Sequence, residues 1–164
     1  MKSSGLIAIV VFFLMSDNIV IKAQSEDLSI RQIELMSRSL GIWKTIISSD
    51  TTEFWDMQHY GQGFIVNVYQ VVKGKKIPQH FNIYAFDRKT GKFKGYILWY
   101  EKGFATWAGS FVDEKNYHVD FAQDYNPEKV WGSFDMIFTD STSRNHLHFV
   151  NNKLTHEEVF TRVR

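Results

Sequence analysis

From Trp43 to the end of the chain, polar and apolar residues alternate in short runs rich in Val, Ile, Phe, Tyr, Trp and Thr. Turn residues interrupt them about every 10 to 12 positions, the pattern of an all-β domain. The interruptions fall at Ser49-Asp50, Gly61 to Gly63, Lys73 to Lys75, Asp87 to Gly91, Lys102-Gly103, Asp113 to Lys115, Asp124 to Pro127, Asp140 to Ser143 and Asn151-Asn152. Between them the spacing predicts about ten strands: Trp43–Ser48, Glu53–Tyr60, Phe64–Val72, His80–Phe86, Phe93–Tyr100, Ala105–Val112, Tyr117–Gln123, Val130–Thr139, His146–Val150 and Glu158–Val163. No helical pattern separates them. Links this short join antiparallel neighbours, so an up-and-down meander is expected, and closing it into a barrel removes the unpaired edges. Pro78 and Pro127 are expected at strand margins, where a missing N–H does no harm.

The chain before Trp43 reads differently. Leu28, Ile30, Ile33, Leu35, Met36 and Leu40 recur at mixed helical spacings among Arg31, Gln32, Glu34 and Arg38, which predicts one short N-terminal helix over Leu28 to Leu40, placed to cap one end of the barrel. Lys2 followed by the uncharged apolar run Gly5 to Met15, then a polar stretch ending at Ala23, has the layout of a secretory signal and is too short to span a bilayer. Residues 1–23 are therefore expected to be a signal peptide and residues 24–164 a single domain, secreted or periplasmic, with no stable membrane span after signal removal.

Facing follows from the two-residue period. Tyr117, Val119 and Phe121 share one side of their strand and Asn116, His118 and Asp120 the other; Phe134, Met136 and Phe138 likewise oppose Ser133 and Asp135. In the middle strands, Tyr84, Phe86, Tyr96 to Tyr100, Phe104 and Trp107 leave neither face polar, so the helix, a ligand or a second copy of the chain is expected to cover them, the last as a homodimer through aromatic strands.

Composition sharpens this picture. Aromatic residues make up 16% of the chain, and their side chains dominate apolar contact wherever they converge. There is no cysteine, hence no disulfide and no lipidation at an N-terminal cysteine. Removal of Lys2, Asp17 and Lys22 with the signal leaves 19 basic and 18 acidic side chains balanced at 17 each, and a neutral chain exerts no general pull on nucleic acid.

Gly41-Ile42-Trp43, where the helix pattern gives way to the first strand, reads G-x-W, and the last predicted strand carries Arg162. In this the chain resembles the lipocalin and fatty-acid-binding-protein (calycin) superfamily, and looks closest to uncharacterised secreted lipocalin-like proteins of bacteria. The resemblance implies that Trp43 fills the closed end of the barrel, that Arg162 lies across its face and that Gly41 lets the chain turn in tightly. It covers the mature chain loosely; there is no T-D-Y motif, with Thr139-Asp140-Ser141 only a partial echo, and about ten strands suit the fatty-acid-binding or nitrobindin-like branches better than true lipocalins. Nitrobindin-like barrels bind haem, but Gly41 to Thr45 lacks the further glycine of that branch, and no cofactor is expected.

The sequence holds no cysteine nucleophile, H-E-x-x-H, G-x-S-x-G or glycine-rich phosphate loop. Three constellations remain. His146 and His148 share one strand face, with His156, Glu157 or Glu158 near them across the hairpin: a candidate metal pair, set against the reading that Leu147 and Phe149 point inward and both histidines face water. His118, Asp120 and Asp135 form a candidate acid–base cluster, since pairing the two strands sets His118 opposite Asp135, set against an exposed cross-strand pair. Tyr69, Tyr84, Trp99, Trp107 and Phe121 are the candidate cavity lining, with plain core packing as the alternative and Trp55 and Trp131 at rim or core. The expected function is binding or carriage of a small apolar or amphipathic molecule. An isomerase, cyclase or hydrolase using a His–Asp pair, and a structural partner using its aromatic strands, are the alternatives.

Overall fold

The computed structural model describes residues 29–101 and 103–163; the expected signal peptide, its cleavage site and Leu28 lie outside the described residues. A short helix, α1 (29–37), leads through a turn into ten antiparallel strands: β1 (Gly41–Ser48), β2 (Thr51–Tyr60), β3 (Gly63–Val72), β4 (Lys75–Asp87), β5 (Lys92–Trp99), β6 (Gly103–Phe111), β7 (Asn116–Ala122), β8 (Val130–Phe138), β9 (Ser143–Val150) and β10 (Lys153–Arg162). Each strand pairs with the next, and β1 pairs with β10, so the sheet closes on itself as the hairpin rhythm predicts.

The hairpins are set by local chemistry. Lys73-Gly74 and Asn151-Asn152 link paired strands with both turn residues at positive φ, the conformation whose twist matches that of the flanking strands. Four register irregularities, near Ile46, Tyr69, Ala122 and Leu154, all fall at the same end of the barrel, where bulges bend strands outward at a rim. Pro78 lies within β4 rather than at its margin, opposite Tyr69 and beside one of these bulges, where the ladder is already broken and the missing N–H costs little.

The other end is closed. Trp43 is fully buried beneath α1, its indole N–H donating to the Ser39 carbonyl at 2.8 Å. Gln32 of α1 binds both backbone groups of Phe111, donating to its oxygen at 3.0 Å and accepting from its nitrogen at 2.9 Å, which fixes the helix across this end. Met36 then inserts into the barrel with 1% of its surface exposed.

Because α1 covers the closed end, it leaves the outer face of β4 to β6 uncovered among the described residues. Phe81, Ile83, Tyr96, Leu98 and Phe104 are exposed there, with Tyr96 and Phe104 stacked at 5.1 Å. No helix among the described residues is long and apolar enough to cross a membrane, which says nothing of strands.

Candidate functional site

Inward-facing residues of all ten strands meet in the lumen, yet they do not fill it. A cavity of about 390 Å³ runs from Met36 and Ser39 at the closed end to Trp131, Thr155 and His156 at the bulged end. Its middle belt is apolar: Trp55, Val66, Ile97, Trp107, Val119 and Phe134. Room exists at this level because of Gly95: a Cβ there would lie 2.1 Å from the Trp107 ring, so only glycine lets the indole lie flat against β5. The Trp107 N–H donates to Asn82 at 3.0 Å, which holds the ring against the wall.

Of the predicted lining residues, Tyr84, Trp99, Trp107 and Phe121 face the cavity. Tyr69 does not. Phe64, Val66 and Val68 of β3 are buried inside, so by the two-residue period Tyr69 points outward, where it stacks on Phe54 at 5.2 Å beneath the Lys76 ammonium at 3.6 Å. Trp55 sits within the lumen, while Trp131 forms the rim, half exposed and stacked on Phe121 at 5.3 Å.

The outer-wall cluster is compact but lies away from the cavity. His118 Nδ1 is 2.6 Å from Asp135 and its Nε2 3.1 Å from Asp120, while its neighbours Tyr117 and Val119 are the ones that turn inward. Burial alone would lower the imidazole pKa, but the two carboxylates outweigh it and hold the pKa above the ordinary histidine value. The cluster carries two carboxylates to one imidazole and is partly solvated, and none of its three residues lines the cavity.

Strand β9 reverses the expected facing. Its register sets Arg144 opposite Phe138, His146 opposite Met136 and His148 opposite Phe134, all inward positions, so the polar members of the alternation enter the barrel and Leu147 turns outward. His146 is completely buried with neither ring nitrogen hydrogen-bonded, and burial, reinforced by the Arg144 charge, drives its pKa far down, which keeps it neutral. His148 instead faces Glu158 at 3.7 Å, and His156 lies 3.1 Å from the same carboxylate. Among the described residues no three or more His, Asp or Glu side chains are placed to hold a metal.

The residue that pattern reading missed is Arg144. It is 2% exposed, lines the closed end of the cavity and has its guanidinium 4.3 Å from the centroid of Trp43. Arg162 lies over the same indole at 4.4 Å, opposite Trp43 in the β1–β10 ladder. The two arginines differ in their partners. Arg162 donates to the carbonyls of Leu40 at 2.8 Å, Ser141 at 3.2 Å and Arg38, whereas no hydrogen bond or ion pair reaches the Arg144 side chain among the described residues, and its Nε is buried without a partner. Tyr117, on the same floor, has a buried hydroxyl that is also unpartnered. Among the described residues, the Tyr84 hydroxyl meets the sulfurs of Met36 and Met57, both at 3.4 Å. Burial lowers the Arg144 pKa to about 9, which leaves it cationic at neutral pH.

No protein-family model matches the chain, and no curated protein matches it either.

Proposed function

We propose that this protein is a lipocalin-like carrier that binds a small apolar or amphipathic molecule inside the barrel. The signal-like layout of residues 1–23 supports a role outside the cytoplasm. The observation that carries the proposal is the cavity: about 390 Å³, belted by aromatic and aliphatic side chains, capped by α1 at one end and reached at the other through a rim of Trp131, Thr155 and His156. That volume lies within the usual range for small-molecule sites, and a few polar groups converge on an otherwise apolar lining. The outward placement of His118, Asp120 and Asp135 weighs against the enzymatic alternative, which needs its acid–base pair inside a pocket.

Titration with N-phenyl-1-naphthylamine, an uncharged apolar fluorophore, tests the reading. Saturable binding of one probe per chain is expected, with energy transfer from Trp55, Trp99 and Trp107. A linear, non-saturating response would remove the carrier function.

A further inference from the structure

Charge is spread unevenly along this chain. From Lys73 to Phe104 there are 8 basic residues and 2 acidic ones, Asp87 and Glu101; residues 24–164 hold 17 of each, so the remainder carries 9 basic against 15 acidic. The basic stretch is β4, β5 and the start of β6, the strands whose outer face is apolar. On that face the registers set Phe81 opposite Leu98 and Leu98 opposite Phe104, with Ile83 opposite Tyr96 in the row beside them. Phe104 is 60% exposed and Tyr100, at the end of β5, 74%, so the centre of the face is greasy and open among the described residues. Its two ends are basic. Lys75 and Lys76 stand at the bulged end, where β4 begins, and Arg88, Lys89 and Lys92 at the closed end, where β4 turns into β5. Lys73 and Lys94 have acidic partners, Asp50 at 3.8 Å and Asp87 at 2.7 Å, but no ion pair reaches the other five among the described residues. Glu101, beside Tyr100, is the exposed acid on the rim.

We propose that this face docks on an anionic lipid surface, with the barrel lying on its side and β4 and β5 running along the membrane plane. The apolar centre enters the interfacial layer, where a tyrosine keeps its ring among acyl chains and its hydroxyl wet. The basic side chains at the two ends reach acidic head groups on either side of it. The same charges count against the homodimer that an aromatic face alone suggests. Two copies packed face to face with strands aligned, in either direction, would set basic end upon basic end, and like charges in an interface repel. An anionic surface is attracted by both ends at once, and the acidic remainder of the chain is turned away from it, which orients the approach. The docking face belongs to the outer wall and involves neither α1 nor the cavity, so it stands or falls apart from the carrier role.

Co-sedimentation with vesicles of phosphatidylcholine alone, and of phosphatidylcholine with an equal part of phosphatidylglycerol, tests the assignment. Every variant shares the native N-terminus, so differences between variants report the face alone. The native protein is expected to partition onto the phosphatidylglycerol vesicles about tenfold or more above phosphatidylcholine, and to lose that excess in about 1 M salt, where the Debye length falls to about 3 Å. Lys89→Gln with Lys92→Gln should weaken the binding about fivefold for each charge removed. Leu98→Ser with Phe104→Ser should weaken it about tenfold, and Val159→Ser, a comparably exposed apolar site on the opposite wall in β10, should change nothing. All five positions are solvent-facing, and an unchanged urea midpoint checks that each variant keeps its fold. Equal binding of the native protein to both vesicle types overturns the proposal. So does binding that Leu98→Ser with Phe104→Ser leaves at the native level, which would make the contact a matter of charge alone. A concentration-dependent dimer in sedimentation velocity that those two substitutions abolish overturns it in favour of a second copy of the chain.

Discussion

Two polar clusters sit on neighbouring strands of one sheet and differ in nearly every physical respect. On the outer wall of β7 and β8, His118 lies between Asp135 and Asp120, each partner supplying what the other lacks, with solvent close by. On the inner wall of β9, Arg144 and His146 are buried without a hydrogen-bond partner on the guanidinium Nε or on either imidazole nitrogen. The outer cluster is complete in itself and gains little from anything that arrives. The inner one bears the cost of desolvation with only rings around it, and so it is the place where a ligand of suitable charge makes the largest difference. Unpaired polarity in a cavity, rather than the mere presence of a histidine and a carboxylate, is what separates a binding floor from a surface ion pair.

The largest break in this contrast comes from removing the indole on which the inner cluster leans. Trp43 is fully buried, meets Phe138 edge-on at 6.4 Å and lies under both guanidiniums. Trp43→Ala should cost about 3–5 kcal/mol in urea unfolding, the usual price of emptying an aromatic core site, with the loss of the ring nearest Arg144 pushing towards the upper end. A loss below about 2 kcal/mol would mean that the closed end collapses around the gap and that Arg144 does not depend on the ring.

Next in size is the response to acid. Burial, together with the charge of His148, lowers the His80 pKa to about 4, and burial with the Arg144 charge lowers that of His146 well below 6.5. Both folded-state values lie under the unfolded one. Between pH 6.5 and 4 the unfolded chain therefore binds protons that the folded one refuses, and stability falls as pH drops through that window. The loss from His80 should be on the order of 2 kcal/mol, with His146 adding in the same direction, read as a falling urea midpoint, and His146→Phe should flatten the slope. An unchanged midpoint between pH 7 and 4.5 would show that these rings are hydrated, and the inner cluster would then resemble the outer one.

Why the inner cluster escapes a reading of the sequence is itself instructive. The strands, their order, the helix and the facing of β7 and β8 follow from hydrophobic alternation, because in those elements the apolar side of the strand is the inside. In Arg144-Asn145-His146-Leu147-His148-Phe149 the same rule turns Leu147 inward, but the ladder with β8 turns Arg144, His146 and His148 inward instead. Alternation finds a sheet face by its greasiness, so it assigns the wrong face wherever the interior is polar. Parity carried across the short β8–β9 turn from Phe138 would have found Arg144, had the number of residues in that turn been known. Tyr69 is a simpler case: its aromatic ring suggests a place in the cavity, although the parity of Phe64, Val66 and Val68 already turns it outward.

The smallest effect sharpens the comparison from the other side. The Asp135 and Asp120 carboxylates raise the folded-state pKa of His118 above the ordinary 6.5 despite partial burial, so its contribution to stability is fully present below that value and is lost as pH rises through the folded one. This is the opposite sense to the buried rings, for which acid is the hazard. His118 and its partners are substantially exposed, and solvent screening holds the pair to less than about 1 kcal/mol. Asp135→Asn should therefore lower the urea midpoint slightly at pH 5.5, leave it unchanged at pH 9, and have no effect on the titration with N-phenyl-1-naphthylamine at either pH. A shift in probe affinity in that variant would tie the outer cluster to the cavity through the shared strand β7 and would restore His118 as a functional group; an unaltered affinity alongside the small acid-side loss marks the pair as a fastening of the β7–β8 ladder, its polar groups already partnered within the chain.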